Sequence, residues 1–286
     1  MDFYPTFGQG SRTAGPIGHL TANRFPFTPA NVGDHFHANE LTILARSHRG
    51  RSHIHNGEPR QDSYAIETTS TGSHVIVSVC DGLGSASASH VGAFWASRYS
   101  SALLANGLEA GGKLSRTAFS TVFSETARLM TKTASEMGYQ NANEIASTIV
   151  IGVFQAGDEG QAHVARVGDS DALVLENGTW RSVFEVSESD ELVETGATSV
   201  LPNHPDRIEY VTLPMNSFAC MLVATDGVSR VIEAAPVDVG APFAQTLATP
   251  CTELEYQALI GFERRGAHDD RTAVAVWPRR TGAIKS

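Results

Sequence analysis

Cysteine is scarce: Cys80, Cys220 and Cys251 are the only three in 286 residues, and no pair has the CxxC spacing. That excludes a disulfide framework or a thiolate zinc knuckle and fits a reducing, cytoplasmic setting, with Cys serving as a small hydrophobe in apolar runs. Positive charge is also short, with 21 Lys+Arg against 31 Asp+Glu and a formal net charge of -10. Without a basic run, that balance argues against a nucleic-acid partner. No window approaches the roughly 18 apolar residues of a membrane span, and the opening "MDFYPTFGQG" lacks a basic stretch followed by an apolar one. No membrane association and no export are therefore expected. What is present is a 41% hydrophobic content, enough for a sizeable core.

Residues 1–40 contain Pro5, Pro16, Pro26 and Pro29 and hold no period of 2 or 3.6, so they read as an irregular arm. A main domain is expected over 41–280, followed by a short tail, 281–286. Strand-like runs rich in Val, Ile and Thr occur at 40–46, 63–68, 74–80, 147–154, 162–167, 172–176, 207–213, 220–224 and 272–277. Asn177-Gly178 reads as a hairpin turn. Helices are predicted over 87–106 and 113–138, the second with Phe119, Val122, Phe123, Thr126 and Met130 on one face. A third, 252–266, opens on the capping box Thr252 to Glu255. Most strands follow one another directly, so the class is α+β rather than a doubly wound parallel sheet.

One pattern recurs: an apolar run ending on Asp, then Gly or a small polar residue. It gives Asp81 in "VSVCDGLG", Asp169 in "ARVGDSD" and Asp226 in "LVATDGVS". Asp62 in "PRQDSYAI" and the pair Asp269 and Asp270 in "GAHDDRTAVAV" stand just before strands. Any one Asp-Gly is an ordinary turn pair. Several carboxylates converging at strand ends would repel one another unless hard cations such as Mg²⁺ or Mn²⁺ lay between them. The "VCDGLGSAS" segment could also be a dinucleotide loop, but Ser87 stands where that fingerprint needs its third Gly, and no βαβ unit surrounds it. "GLEAGGKLS" at 107–115 nearly spells a phosphate-binding loop, yet Leu114 occupies the metal-binding hydroxyl position. "HFH" (35–37) and "HIH" (53–55) place paired histidines on a strand face and read as solvated surface.

The ordered set "RQDSY", "CDGLGS", "ASTIVIGVF", "RVGDSDALVL", "LVATDGVS" and "HDDRTAVAV" resembles the metal-dependent type 2C Ser/Thr protein phosphatases, the PPM family, from about Ser47 to Trp277. "SHIHNGEPRQDSYAI" is similar to a bacterial branch with Gln-Asp in its first motif. The resemblance implies a four-layer αββα sandwich, two antiparallel sheets flanked by helix pairs, with two Mn²⁺ or Mg²⁺ ions at one end. It implies Asp81, the Gly82 carbonyl, Asp226 and Asp269 as metal ligands and Asp62 as the residue orienting water. Gln61, Asp169 and Asp270 would support them from behind. The implied reaction is attack of a metal-bridging hydroxide on phosphoserine or phosphothreonine. The implied partner is a phosphorylated protein, such as a Ser/Thr kinase or its target, acted on by a monomer.

The chain departs from the family pattern in four places. Gly57 stands where an Arg normally grips the phosphate, leaving Arg60, Arg51, His55 and Arg49 as substitutes, with bidentate geometry favouring Arg60 or Arg51. Gln61 replaces Glu, and Asp270 replaces a frequent Asn. Asn143, beside Glu144, stands where an Asp helps bind a third ion, which puts that ion in doubt. These departures motivate a second reading, a non-catalytic phosphoprotein- or partner-binding module on the same fold. The acidic stretch 185–206 falls where the family has a flap, and reads equally as a surface loop.

Overall fold

The strand-like runs pair into two sheets in a computed structural model that describes residues 29–157, 159–184 and 198–278. The first sheet has the order β1-β2-β11-β10-β7-β8, formed by Asn31–Ala38, Leu41–His48, Arg271–Pro278, Cys220–Ala224, Asp171–Glu176 and Thr179–Ser182. The second runs β3-β4-β5-β6-β9, formed by Ser63–Thr68, His74–Cys80, Ile149–Gln155, Gln161–Val167 and Glu209–Pro214. Every pairing is antiparallel.

The unbroken hydrophobicity of the central strands follows from burial on both faces. Side chains alternate across a strand, so in β4 Val75, Val77 and Val79 enter the core between the sheets while Ile76 and Cys80 face a second core. In β10, Met221 and Val223 point inward, and Cys220, Leu222 and Ala224 point to a third core. The outer layer on the second sheet is α2 (Ser89–Glu109) and α3 (Arg116–Glu136). Ser115 caps α3 by accepting from the Ala118 amide at 3.2 Å, and Phe119, Phe123, Thr126 and Met130 form its buried stripe. The outer layer on the first sheet is α4 (Asp226–Ala234), α5 (Ala241–Leu247) and α6 (Glu253–Ile260). The fold is thus an α+β sandwich of two antiparallel sheets between helical layers.

The capping box of α6 forms as its sequence predicts, with the Thr252 amide 2.8 Å from Glu255 Oε2. The helix stops at Ile260 rather than 266, because Phe262 turns into the core. Asn177 and Gly178, at φ 49° and 79°, turn the β7–β8 hairpin. The expected arm, 1–40, is corrected in part: β1 occupies 31–38 and pairs along the whole of β2. Period-2 reading misses it because Asp34 interrupts the face carrying Val32, Phe36 and Ala38, its carboxylate accepting from Tyr64 Oη at 2.7 Å. Residues 1–28, 185–197 and 279–286 lie outside the described residues, and with them most of the arm, the acidic stretch and the tail.

Candidate metal centre

The motif aspartates meet at one end of the sandwich because register puts their strand ends there. Ser63 pairs with Cys80, so the residues before β3 adjoin Asp81 after β4. Ala224 pairs with both Ala273 and Asp171, which brings Asp226, Asp269 and the β6–β7 turn carrying Asp169 to the same end. A cleft of about 270 Å³ opens between the sheets there, walled by Asp81, Asp169, Asp226, Asp269, Gln61, Gly82, Thr148, Thr198 and His53.

Two glycines permit this convergence. A Cβ on Gly227 would stand 2.0 Å from the Asp270 carbonyl oxygen, and one on Gly50 would stand 2.3 Å from the backbone carbon of Asp269. Gly227 therefore lets α4 start against the segment that carries Asp269, and Gly50 lets a short helix, α1 (Arg51–Asn56), lie against it. Ser52 ties α1 down, its amide and Oγ both donating to the His268 carbonyl at 3.0 and 2.8 Å. The "AST" opening of β5 has a similar task. The Thr148 amide and Ser147 Oγ both donate to the Asp81 carbonyl at 2.8 Å, and the Asp81 amide donates to Thr148 Oγ1 at 3.2 Å.

The electrostatics of the cleft are those of crowded acids. Burial raises the Asp81 carboxyl well above the usual range, and Asp62, Asp226, Asp269 and Asp169 raise it further. Burial likewise raises Asp226, reinforced by Asp169 and Asp269 and opposed by Arg230 and a hydrogen bond with Asp81. Asp269 is raised mainly by burial. Among the described residues, the one cation touching these groups from the rim is Arg230, one α4 turn after Asp226, with Nη2 2.5 Å from Asp169 and Nη1 3.2 Å from Asp226. Asp62 sits behind the cleft rather than in its wall. It is 2% exposed, accepts from Thr225 Oγ1 at 2.8 Å, and is raised by burial and then by Asp270 and Asp269.

This donor set fits a hard divalent ion. It is all oxygen, it is anionic, and its carboxyls hold protons abnormally tightly through burial and the repulsion of neighbouring acids. Among the described residues no three His, Cys, Asp or Glu side chains close on a single point.

A family model for protein phosphatase 2C matches residues 49–258. The chain belongs to the protein phosphatase 2C family. No curated protein matches it by sequence. Similar solved structures include a bacterial serine phosphatase, at 14% identity and TM-score 0.57 over 86% of this chain and 100% of that one. The serine/threonine phosphatase Stp1 from Staphylococcus aureus has 15% identity and TM-score 0.56 over 89% and 100%. RsbX in complex with magnesium has 14% identity and TM-score 0.55 over 86% and 100%. At such identities the likeness carries the fold alone.

In this phosphatase 2C chain the acidic residues expected from the motifs come together, and the expected cations do not. Arg60 is 5% exposed and turned away, Nη1 donating to Ser47 Oγ and to the Asp62 carbonyl (2.6 Å), and Nε to Pro29 O at 3.1 Å. It lines a different, larger cavity of about 670 Å³. Arg51 is held in an ion pair by Glu263, and His55 is exposed outside the cleft wall. Asn143 also lies outside that wall and accepts from Asn203 Nδ2 at 2.6 Å. Gln61 is in the wall, its Oε1 accepting from Ser89 Oγ at 2.9 Å.

The basic residue that does line the cleft is His53, which period reading places on a strand and at the surface. It lies on α1 and is only 9% exposed. Two signals point to it: glycines at 50 and 57 bracketing six residues, and Asp270, a buried extra charge in need of a counter-ion.

Proposed function

We propose that the chain is a Mn²⁺- or Mg²⁺-dependent protein serine/threonine phosphatase. The observation that carries this reading is the convergence of Asp81, Asp169, Asp226 and Asp269 on one cleft between the sheets, with carboxyl pKa values raised by burial and mutual repulsion at Asp81 and Asp226. Asp81, the Gly82 carbonyl, Asp226 and Asp269 would hold two ions. Bound there, such ions acidify water and offset charge on the transferring phosphoryl group.

The protein's own groups have separate tasks. Ser147 and Thr148 fix the Asp81 backbone from both sides, so its carboxylate is held without loop motion. Asp62 is kept from the solvent but hydrogen-bonded at Oδ2 by Thr225, which suits an acceptor that would orient water from behind the cleft. With Oε1 of Gln61 engaged by Ser89, the amide NH₂ is its remaining group, a donor to a phosphate oxygen where a Glu would have offered an acceptor. Asp169 anchors Arg230 at the rim and keeps that guanidinium beside Asp226.

The second reading, a binding module without turnover, draws on the absence of Arg51, Arg60 and His55 from the cleft wall. Calorimetry with Mn²⁺ beside a phosphopeptide assay separates the two. The phosphatase reading expects ion binding and turnover that are both lost in Asp81→Ala and Asp226→Ala, with turnover falling by about 10²–10³-fold, the scale for removing one group that stabilises transition-state charge. Ion binding with no release from any phosphoserine or phosphothreonine peptide would favour the module.

A further inference from the structure

Resting on that phosphatase reading, we propose that His53, held by Asp270, is the residue of this chain that grips the substrate phosphate. A wall of carboxylates repels a phosphate dianion, so a side-chain cation within reach would add to the attraction that bound ions supply. Among the described residues lining the cleft, His53 is the one side chain able to carry positive charge. Arg51 is paired with Glu263, Arg60 is tied into the network behind Asp62, and Arg230 stands at the rim on Asp169 and Asp226, outside the cleft wall.

The setting of His53 is built rather than incidental. Its Nδ1 stands 2.9 Å from Asp270 Oδ1, too bent for a hydrogen bond but close enough for an ion pair when the ring is protonated. The same buried carboxylate accepts from the Gly50 amide at 2.6 Å and the Gln61 amide at 2.5 Å. One anion thus binds the start of α1, the ring upon it and the residue before Asp62, which sets the imidazole relative to the aspartates. Nε2 is 3.9 Å from Glu58, a half-exposed carboxylate that a phosphate oxygen can replace. Burial pulls the His53 pKa down, but Asp270, Asp269 and Glu58 carry it above its ordinary value. The family's frequent Asn in place of Asp270 would supply no charge to hold this cation.

The probe is inorganic phosphate, added to the full chain loaded with Mg²⁺ and followed by the imidazole nitrogen resonances of ¹⁵N-histidine protein and by competition against a phosphopeptide. The expected result is a phosphate-dependent shift of the His53 nitrogens. In His53→Ala and His53→Gln, phosphate affinity should fall and phosphopeptide KM should rise, each roughly tenfold or more. The fall in kcat should be smaller, Mg²⁺ affinity by calorimetry should not fall, since a cation beside Asp269 is removed, and His53→Arg should recover part of the loss. Unshifted His53 nitrogens, or variants whose phosphate affinity is unchanged or falls only in step with Mg²⁺ affinity, would overturn the proposal. Wild-type chain that binds phosphate through His53 but never turns over would instead overturn the phosphatase reading and leave this one standing.

Discussion

Asp81 is buried beside Asp62, Asp226, Asp269 and Asp169, and without cations that crowding opposes folding. Asp81→Asn should therefore raise the melting temperature of the metal-free chain, by about 2–4 °C for each kcal/mol of repulsion relieved, while removing metal-dependent turnover. Calorimetric scans in EDTA check the first half, and a lower melting temperature would mean that the carboxylate is compensated by something else. Arg230 tests the same electrostatics from the other side. Its guanidinium lies on Asp169 and Asp226 but is largely exposed, so the pairs are weak. Arg230→Ala should tighten Mn²⁺ binding by about two- to fivefold, on the scale of an exposed ion pair. Titration calorimetry showing weaker binding would make Arg230 a support of the site rather than a competitor.

At the scale of elements, the site is an accident of where strands end unless the backbones can touch, and Gly50 and Gly227 let them. Gly227→Ala puts a methyl group 2.0 Å from the Asp270 carbonyl. It should destabilise the chain by about 1–3 kcal/mol or more, as overpacking does. Urea denaturation with an unchanged m-value would register this, and an unshifted midpoint would mean that α4 can move aside. The strands that deliver Asp81 and Asp226 were legible in the sequence because both faces are buried, which leaves nearly continuous apolar runs with an Asp where burial stops. The acidic half of the site was legible for the same reason. Its basic half was not. Six residues give α1 too few positions for a period, and Arg51 and Arg60 carry no local mark of the partners, Glu263 and Ser47, that hold them away from the cleft. α4 was missed because its first turn reads as the Asp-Gly end of β10.

For the molecule as a whole, the acid cluster sets the sign of the pH dependence. Folding raises the carboxyl pKa values of Asp62, Asp81, Asp226 and Asp269, so the folded state binds protons more tightly than the unfolded chain. Their contribution is most favourable below the unfolded carboxylate range, near pH 4, and is lost as pH rises through the raised values. His48, lowered to about 4 chiefly by burial, and His74, His90 and His163, also lowered by burial, act oppositely, their contribution lost as pH falls below 6.5. The carboxyls of Asp62 and Asp81, however, are raised well above the usual range and set the net sign. In EDTA, stability should therefore decline from pH 5 to pH 8, and saturating Mn²⁺ should flatten or reverse that slope. A metal-free stability that climbs over the same interval would contradict the crowding of unpaired acids. The central claim, that this cleft uses divalent ions to hydrolyse phosphoserine or phosphothreonine, is tested most directly by phosphate release from a phosphothreonine peptide. Wild-type chain is assayed first with Mn²⁺, then with excess EDTA, then with Mn²⁺ restored. Release that stops in EDTA and returns with Mn²⁺ is the predicted result, and undiminished release in EDTA would contradict it.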